Sequence, residues 1–96
     1  MIQLDQRYQK HPSIVSREIA GEVILIPIRH KVGDLEGIYT LNETGARTWM
    51  LMDGKRTLAQ IRDKIIDEYD VDIDQTENDL LELVDQLISI GALEIV

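Results

Sequence analysis

The sequence contains no cysteine and only two prolines among its 96 residues. The absence of cysteine excludes a disulfide framework, a thiolate metal site and a cysteine nucleophile. The scarcity of proline, together with a hydrophobic content of 44%, argues against a disordered chain and indicates a folded protein. A chain of this length can enclose one hydrophobic core, so we expect a single globular domain.

Long hydrophobic runs are also absent. The longest apolar run covers residues 23–28, whereas a membrane-spanning helix needs about 20 residues. Polar residues follow Met1 closely, so we expect no signal peptide. We therefore expect a cytoplasmic protein with no membrane partner, and the lack of cysteine is compatible with a reducing compartment.

Basic residues are scarce in the last third of the chain. Residues 1–62 carry nine Lys or Arg against seven Asp or Glu, whereas residues 63–96 carry Lys64 alone against eleven acidic residues. Such a negative surface repels nucleic-acid phosphates and favours basic or neutral partners. A solvated face without any partner is the simpler alternative, and the sequence leaves it open.

The patterns that catalysis or metal binding would require are missing. His11 and His30 have no second ligand at a suitable spacing. Residues 70–74 begin like a calcium loop, but Gln75 and Leu81 occupy the places of its essential Gly and Glu. No nucleophile elbow or phosphate-binding glycine loop occurs. We therefore expect a protein that is not an enzyme and needs no metal or cofactor.

Three short strands are predicted in the first half of the chain. Val15, Arg17 and Ile19 alternate with Ser16 and Glu18, a compact apolar run covers residues 23–26, and a third run covers residues 38–41. Local connections between them predict an antiparallel sheet in sequential order, with the first and third strands at its edges. Residues 1–13 show no clean period. We therefore divide the chain into an N-terminal arm, 1–13, and a domain, 14–96.

Three helices are predicted in the second half. Asn42 is a good N-cap for the first, and Asp53-Gly54 ends it. Thr57 and Asp74, each followed three residues later by Gln or Glu, predict capping boxes that open the second and third helices. Gly91 is a suitable stop for the third helix.

The third predicted helix has two apolar rows. One row is sufficient to anchor it, and the second row indicates deeper burial, a dimer contact, or a groove for an incoming chain. These three alternatives stay open. The first row consists of Leu80, Leu83, Leu87 and Ile90, and the second of Leu81, Val84 and Ile88.

The order of elements predicts an α+β fold of the winged helix-turn-helix type, with a three-stranded antiparallel N-terminal sheet followed by three helices. A helix that reads DNA needs Arg, Lys, Asn or Gln on its exposed face. Residues 74–90 contain no basic residue and five acidic ones, so we expect no nucleic-acid partner. A DNA-binding transcriptional regulator nevertheless remains the alternative that the architecture suggests.

The segment LNETGARTWMLMDGKRTLAQI, residues 41–61, resembles the PqqD-like family, also called RiPP recognition elements. The resemblance extends over about residues 14–95, and the long loop at 29–37 departs from it. The matching residues are Leu41, Asn42, Gly45, Ala46, Trp49, Asp53, Gly54 and Thr57.

This resemblance implies a non-catalytic adaptor in the biosynthesis of ribosomally made, post-translationally modified peptides. Family members bind the leader of a precursor peptide as an added strand and present it to a modifying enzyme, such as a radical-SAM protein, a cyclase or a protease. A structural subunit of such an enzyme is a further alternative, and the chain could be a monomer or a dimer. The implied peptide-binding residues are Gly37, Ile38, Tyr39, Thr40 and Leu41 of the third strand, and Leu81, Val84, Asp85 and Ile88 of the third helix.

Overall fold

The computed structural model describes residues 2–27 and 39–96, which form two small antiparallel sheets and three helices. The predicted α+β class, with a three-stranded antiparallel sheet followed by three helices, is confirmed. The elements are β1 (Arg7–Lys10), β2 (Ile14–Ile19), β3 (Glu22–Pro27), β4 (Tyr39–Leu41), α1 (Glu43–Leu51), β5 (Asp53–Thr57), α2 (Leu58–Glu68), α3 (Ile73–Ser89) and β6 (Leu93–Ile95).

The predicted sheet is present in the predicted order, β2-β3-β4. β2 and β3 form a hairpin whose two turn residues, Ala20 and Gly21, have φ angles of 53° and 84°. Positive φ at both positions gives a turn whose twist matches that of the strands. β4 pairs with the other side of β3, with Leu41 opposite Val23. Among the described strands, β2 and β4 are the two edges of this sheet.

A second sheet, in the order β5-β1-β6, joins three distant parts of the chain. β1 is its central strand, with Arg7 opposite Thr57 on one side and Tyr8 opposite Ile95 on the other. The Tyr8 side chain is only 3% exposed and belongs to the core. The N-terminal segment therefore contains a structural strand, although the boundary at residue 13 stays a prediction.

The N-terminal segment also satisfies the start of α2. The backbone N–H of Leu58 donates to the carbonyl of Gln6 at 3.0 Å, and that of Ala59 donates to the carbonyl of Leu4 at 2.9 Å. The first N–H groups of a helix have no partner within the helix. The N-terminal segment supplies two of these partners, so the folding of α2 depends on residues that lie some fifty positions away.

The predicted capping box of α2 is present. The Gln60 N–H donates to Thr57 Oγ1 at 3.2 Å, and the Thr57 N–H donates to Gln60 Oε1 at 2.8 Å. Loss of an N-cap hydroxyl typically costs about 1 kcal/mol. We expect Thr57→Ala to lower the free energy of unfolding by about 1 kcal/mol in chemical denaturation. Thr57→Ser keeps the hydroxyl and should change it far less, and equal losses would contradict the cap.

The start of α3 differs from the prediction. Its N-cap is Asp72, whose carboxylate accepts from the Gln75 N–H at 2.9 Å, and Asp74 already lies in the first helical turn. Both aspartates are chemically suitable caps, so the choice depends on the packing of the helix. Gly91, with φ of 78°, follows the helix end as predicted.

Trp49 is a core residue, only 2% exposed. The Lys10 ammonium lies 5.2 Å from the centre of its ring and donates to the Met52 carbonyl at 3.0 Å. Burial lowers the pKa of Lys10. This contact links β1 to the end of α1.

Within the described ranges, none of the helices combines the length and apolarity that crossing a bilayer requires.

Candidate functional site

The strand β4 turns directly into α1 at Asn42. The Asn42 side-chain oxygen accepts from the Gly45 N–H at 2.9 Å and so caps the helix, as predicted. A Cβ atom at Gly45 would lie 3.2 Å from that oxygen and 3.5 Å from Leu41 Cβ. The absence of a side chain at Gly45 therefore lets the helix start immediately beside the end of the strand.

A cleft of about 490 Å³ lies beside this corner, between β4 and α3. Its lining comes from β4, from the first turns of α1, from α2 and from one face of α3. The lining residues are Tyr39, Thr40, Leu41, Asn42, Thr44, Gly45, Thr48, Arg62, Ile65, Val71, Gln75, Thr76, Asp79, Leu80, Glu82, Leu83 and Gln86.

The floor of the cleft is apolar and continuous with the core. Leu41, Ile65 and Leu80 are buried and belong to the core, while Leu83 is half-buried against it. The Tyr39 hydroxyl donates to Gln86 Oε1 and links β4 to α3 across the cleft. An aliphatic side chain entering the cleft would therefore meet a preformed apolar surface.

The outer edge of β4 forms one side of the site. β3 pairs with one side of β4, and no strand within residues 2–27 and 39–96 pairs with the other side. The N-terminal strand β1 does not cover this edge because it pairs with β5 and β6. Unpaired N–H and C=O groups on a strand edge are a template for another extended chain.

The charged groups among the described lining residues are two carboxylates, Asp79 and Glu82, and one guanidinium, Arg62. Asp79 and Glu82 lie one turn apart on α3, and Gln75 Nε2 donates to Asp79 Oδ1 at 2.8 Å. Arg62 is the one cation among the lining residues of the described ranges, 2–27 and 39–96. Its guanidinium donates to Glu77 Oε1 at 2.8 Å and to Asp63 Oδ1 at 3.0 Å. These hydrogen bonds, first that to Glu77, raise the pKa of Arg62.

Three of the five strand residues that the sequence analysis named line the cleft. Tyr39 and Thr40 are half-buried and exposed, respectively, and Leu41 is buried. Gly37 and Ile38, together with the predicted loop at 29–37, lie outside the described residues. The extent of the strand before Tyr39 therefore stays a prediction.

The four helix residues that the sequence analysis named do not line the cleft. Val84 is fully buried at 0% exposure, and Leu81 is half-buried against the core. Asp85 and Ile88 are exposed but do not belong to the lining. Ile88 lies about 140° around the helix from Leu83, which does line the cleft. The second apolar row therefore runs along the far side of α3, and a role for these residues in peptide contact remains a prediction.

The face of α3 that borders the cleft was not identified from the sequence. It is mostly polar, so an argument based on apolar rows passes over it. The residues of this face recur at spacings of three and four, which places them on one side of a helix. This spacing was the sequence signal that could have identified the face. Its outer members are Gln75, Asp79, Glu82, Leu83 and Gln86.

Comparisons with known proteins agree with this architecture. The family model described as coenzyme PQQ synthesis protein D (PqqD) matches residues 22–93. The solved structure of TbiB1 in complex with the TbiA(beta) leader peptide is similar, with a TM-score of 0.74 and 29% sequence identity. That match covers 90% of this chain and 94% of the TbiB1 chain. A comparison with curated proteins gave no match.

Proposed function

The chain belongs to the PqqD family, and from this premise we propose that it binds the leader of a ribosomally made precursor peptide and presents it to a modifying enzyme. The supporting observation is the outer edge of β4, which pairs with no described strand, beside a cleft with an apolar floor. The similar protein TbiB1 was solved with a leader peptide bound. In this proposal the chain is an adaptor and performs no chemical step itself.

The leader would bind by strand addition. An extended peptide placed along β4 pairs with its free backbone groups about 4.8 Å away, which brings it over the cleft. Successive side chains of a strand point to opposite faces. Every second leader side chain therefore faces the cleft and α3, while the others face away. The backbone bonds tolerate many sequences, and the side chains in the cleft provide selectivity.

The size of the site is consistent with moderate affinity. A hydrogen bond contributes about 1 kcal/mol net, and burial of an aliphatic side chain contributes about 1.5–3 kcal/mol. A few bonds to β4 and two aliphatic side chains over Leu83 and Ile65 together offset the entropy of ordering the peptide. We expect a dissociation constant in the micromolar range, equivalent to about −8 kcal/mol.

The enzyme that receives the leader is a separate protein in this proposal. Its class, whether radical-SAM protein, cyclase or protease, stays a prediction. The lining of the cleft supports holding a chain, because its polar groups are amides, hydroxyls, carboxylates and an arginine in ion pairs. A DNA-binding function is not supported, because α3 carries no Lys or Arg to contact phosphates or base edges.

The site can be tested by titrating a synthetic leader peptide, taken from a short precursor-like reading frame next to the gene where one exists, into isotopically labelled protein. We expect saturable shifts of the backbone amide resonances of Tyr39, Thr40 and Leu41. The amides of Ile14–Ile19 in β2, the opposite edge of the same sheet, are a built-in control and should shift little. Shifts confined to β2, or no binding at millimolar peptide, would contradict the proposal.

A further inference from the structure

We propose that the cleft selects leaders that place a Lys or Arg over the cleft face of α3, where Asp79 and Glu82 pair with its charge. This inference rests on the proposed function, because it concerns the chemistry of the peptide that the same site takes. It identifies Asp79 and Glu82 as specificity-determining residues.

The negative charge of this face is not neutralised by the helix itself. Asp79 and Glu82 are exposed, and residues three apart on a helix lie on the same face. No Lys or Arg occurs anywhere in Ile73–Ser89. Among the described residues, neither carboxylate has an ion-pair partner, and Asp79 accepts one neutral hydrogen bond from Gln75.

Among the described residues that line the cleft, the single cation is already paired. Arg62 bonds to Glu77 and Asp63, neither of which belongs to the lining, and its side chain is only 18% exposed. Its positive charge is therefore balanced by carboxylates that do not line the cleft. A bound peptide would experience the charges of Asp79 and Glu82, which favour a cation and disfavour Asp or Glu.

The apolar part of the same face matches a long basic side chain. Leu83 follows Asp79 by four residues, lies next to Glu82 and is half-buried. Lys and Arg cover apolar surface with their methylene stems while their charged ends reach a polar partner. A Lys or Arg of the added strand can therefore pack on Leu83 and reach either carboxylate, whereas a purely aliphatic side chain leaves both unpaired.

The inference can be tested with a displayed library of random 15-residue peptides, selected against the immobilised full chain at low salt. The selected peptides are then measured against wild type and against Asp79→Asn/Glu82→Gln. The matched control is Asp67→Asn/Asp74→Asn, which removes the same charge from exposed residues outside the lining. We expect enrichment of Lys and Arg and a roughly fivefold loss of affinity in the first variant alone.

A charge reversal sharpens the test. Glu82→Lys should reject a selected peptide and accept its counterpart in which the enriched basic residue is replaced by Glu. Peptides that shift the β4 amides but show no basic enrichment and no response to Asp79→Asn/Glu82→Gln would overturn this inference and leave the proposed function standing. Selected peptides that bind without shifting β4, or a selection that yields none, would overturn both.

Discussion

Replacement of Val84 by Asp is expected to unfold the protein. Val84 is 0% exposed and packs in the core between α3 and the rest of the domain. A carboxylate there would be buried without a partner, and such changes cost more than about 4 kcal/mol. A small domain is stable by only about 5–15 kcal/mol. We expect loss of the cooperative melting transition in circular dichroism and collapse of the dispersed amide spectrum.

Ile88→Asp is the matched control for this variant. Ile88 belongs to the same apolar row but is 39% exposed, so its new carboxylate stays in contact with water. We expect this change to lower the free energy of unfolding by about 1 kcal/mol or less. If Val84→Asp instead folded normally and lost only peptide binding, Val84 would contact the peptide as the sequence suggested, and the burial of the row would be refuted.

Deletion of residues 2–10 is expected to have an effect of similar size. It removes β1, which separates and pairs with both β5 and β6, and it removes the buried Tyr8. It also leaves the Leu58 and Ala59 N–H groups of α2 without the carbonyls that accept from them. Loss of an aromatic core residue alone costs about 3–5 kcal/mol. We therefore expect a truncated chain that lacks a cooperative unfolding transition.

Two controls distinguish the contribution of strand β1 to folding from the effect of shortening the chain. A chain in which Gly and Ser replace residues 2–10 keeps the length and should fail to fold in the same way. A synthetic peptide of residues 2–12, added to the truncated chain, should restore the amide spectrum by rebuilding β1. A truncated chain that melts cooperatively near the wild-type temperature would show that these residues are a dispensable arm.

Local sequence signals predicted the strands of the β2-β3-β4 sheet and the three helices. The alternation of Val15, Arg17 and Ile19 with polar residues and the compact apolar run at 23–26 correspond to β2 and β3. Asn42 and Thr57 cap the helices that they were predicted to open. These features are encoded within a few residues of each other. Alternation favours an extended strand, and a side-chain oxygen favours a helix start, without help from distant parts of the chain.

Two strands of the second sheet, β1 and β5, escaped prediction because they are short and mostly polar. β1 reads Arg-Tyr-Gln-Lys and β5 reads Asp-Gly-Lys-Arg-Thr, and neither shows a clear alternation. Their pairing joins residues that lie about fifty positions apart. Such strands become favourable only when they pack against a core that has already formed. Their local sequence therefore does not predict them.

The sequence by itself determined the family resemblance, the order of β2, β3, β4 and the three helices, the caps of α1 and α2, and the negative charge of α3. Tertiary structure alone decided which side of α3 meets the core and which side borders the cleft. Leu83, Val84 and Ile88 are all apolar, and periodicity assigns each to a face of the helix without saying what lies opposite. That assignment depends on the positions of β4, α2 and the N-terminal strand, which are set by contacts between segments distant in the chain.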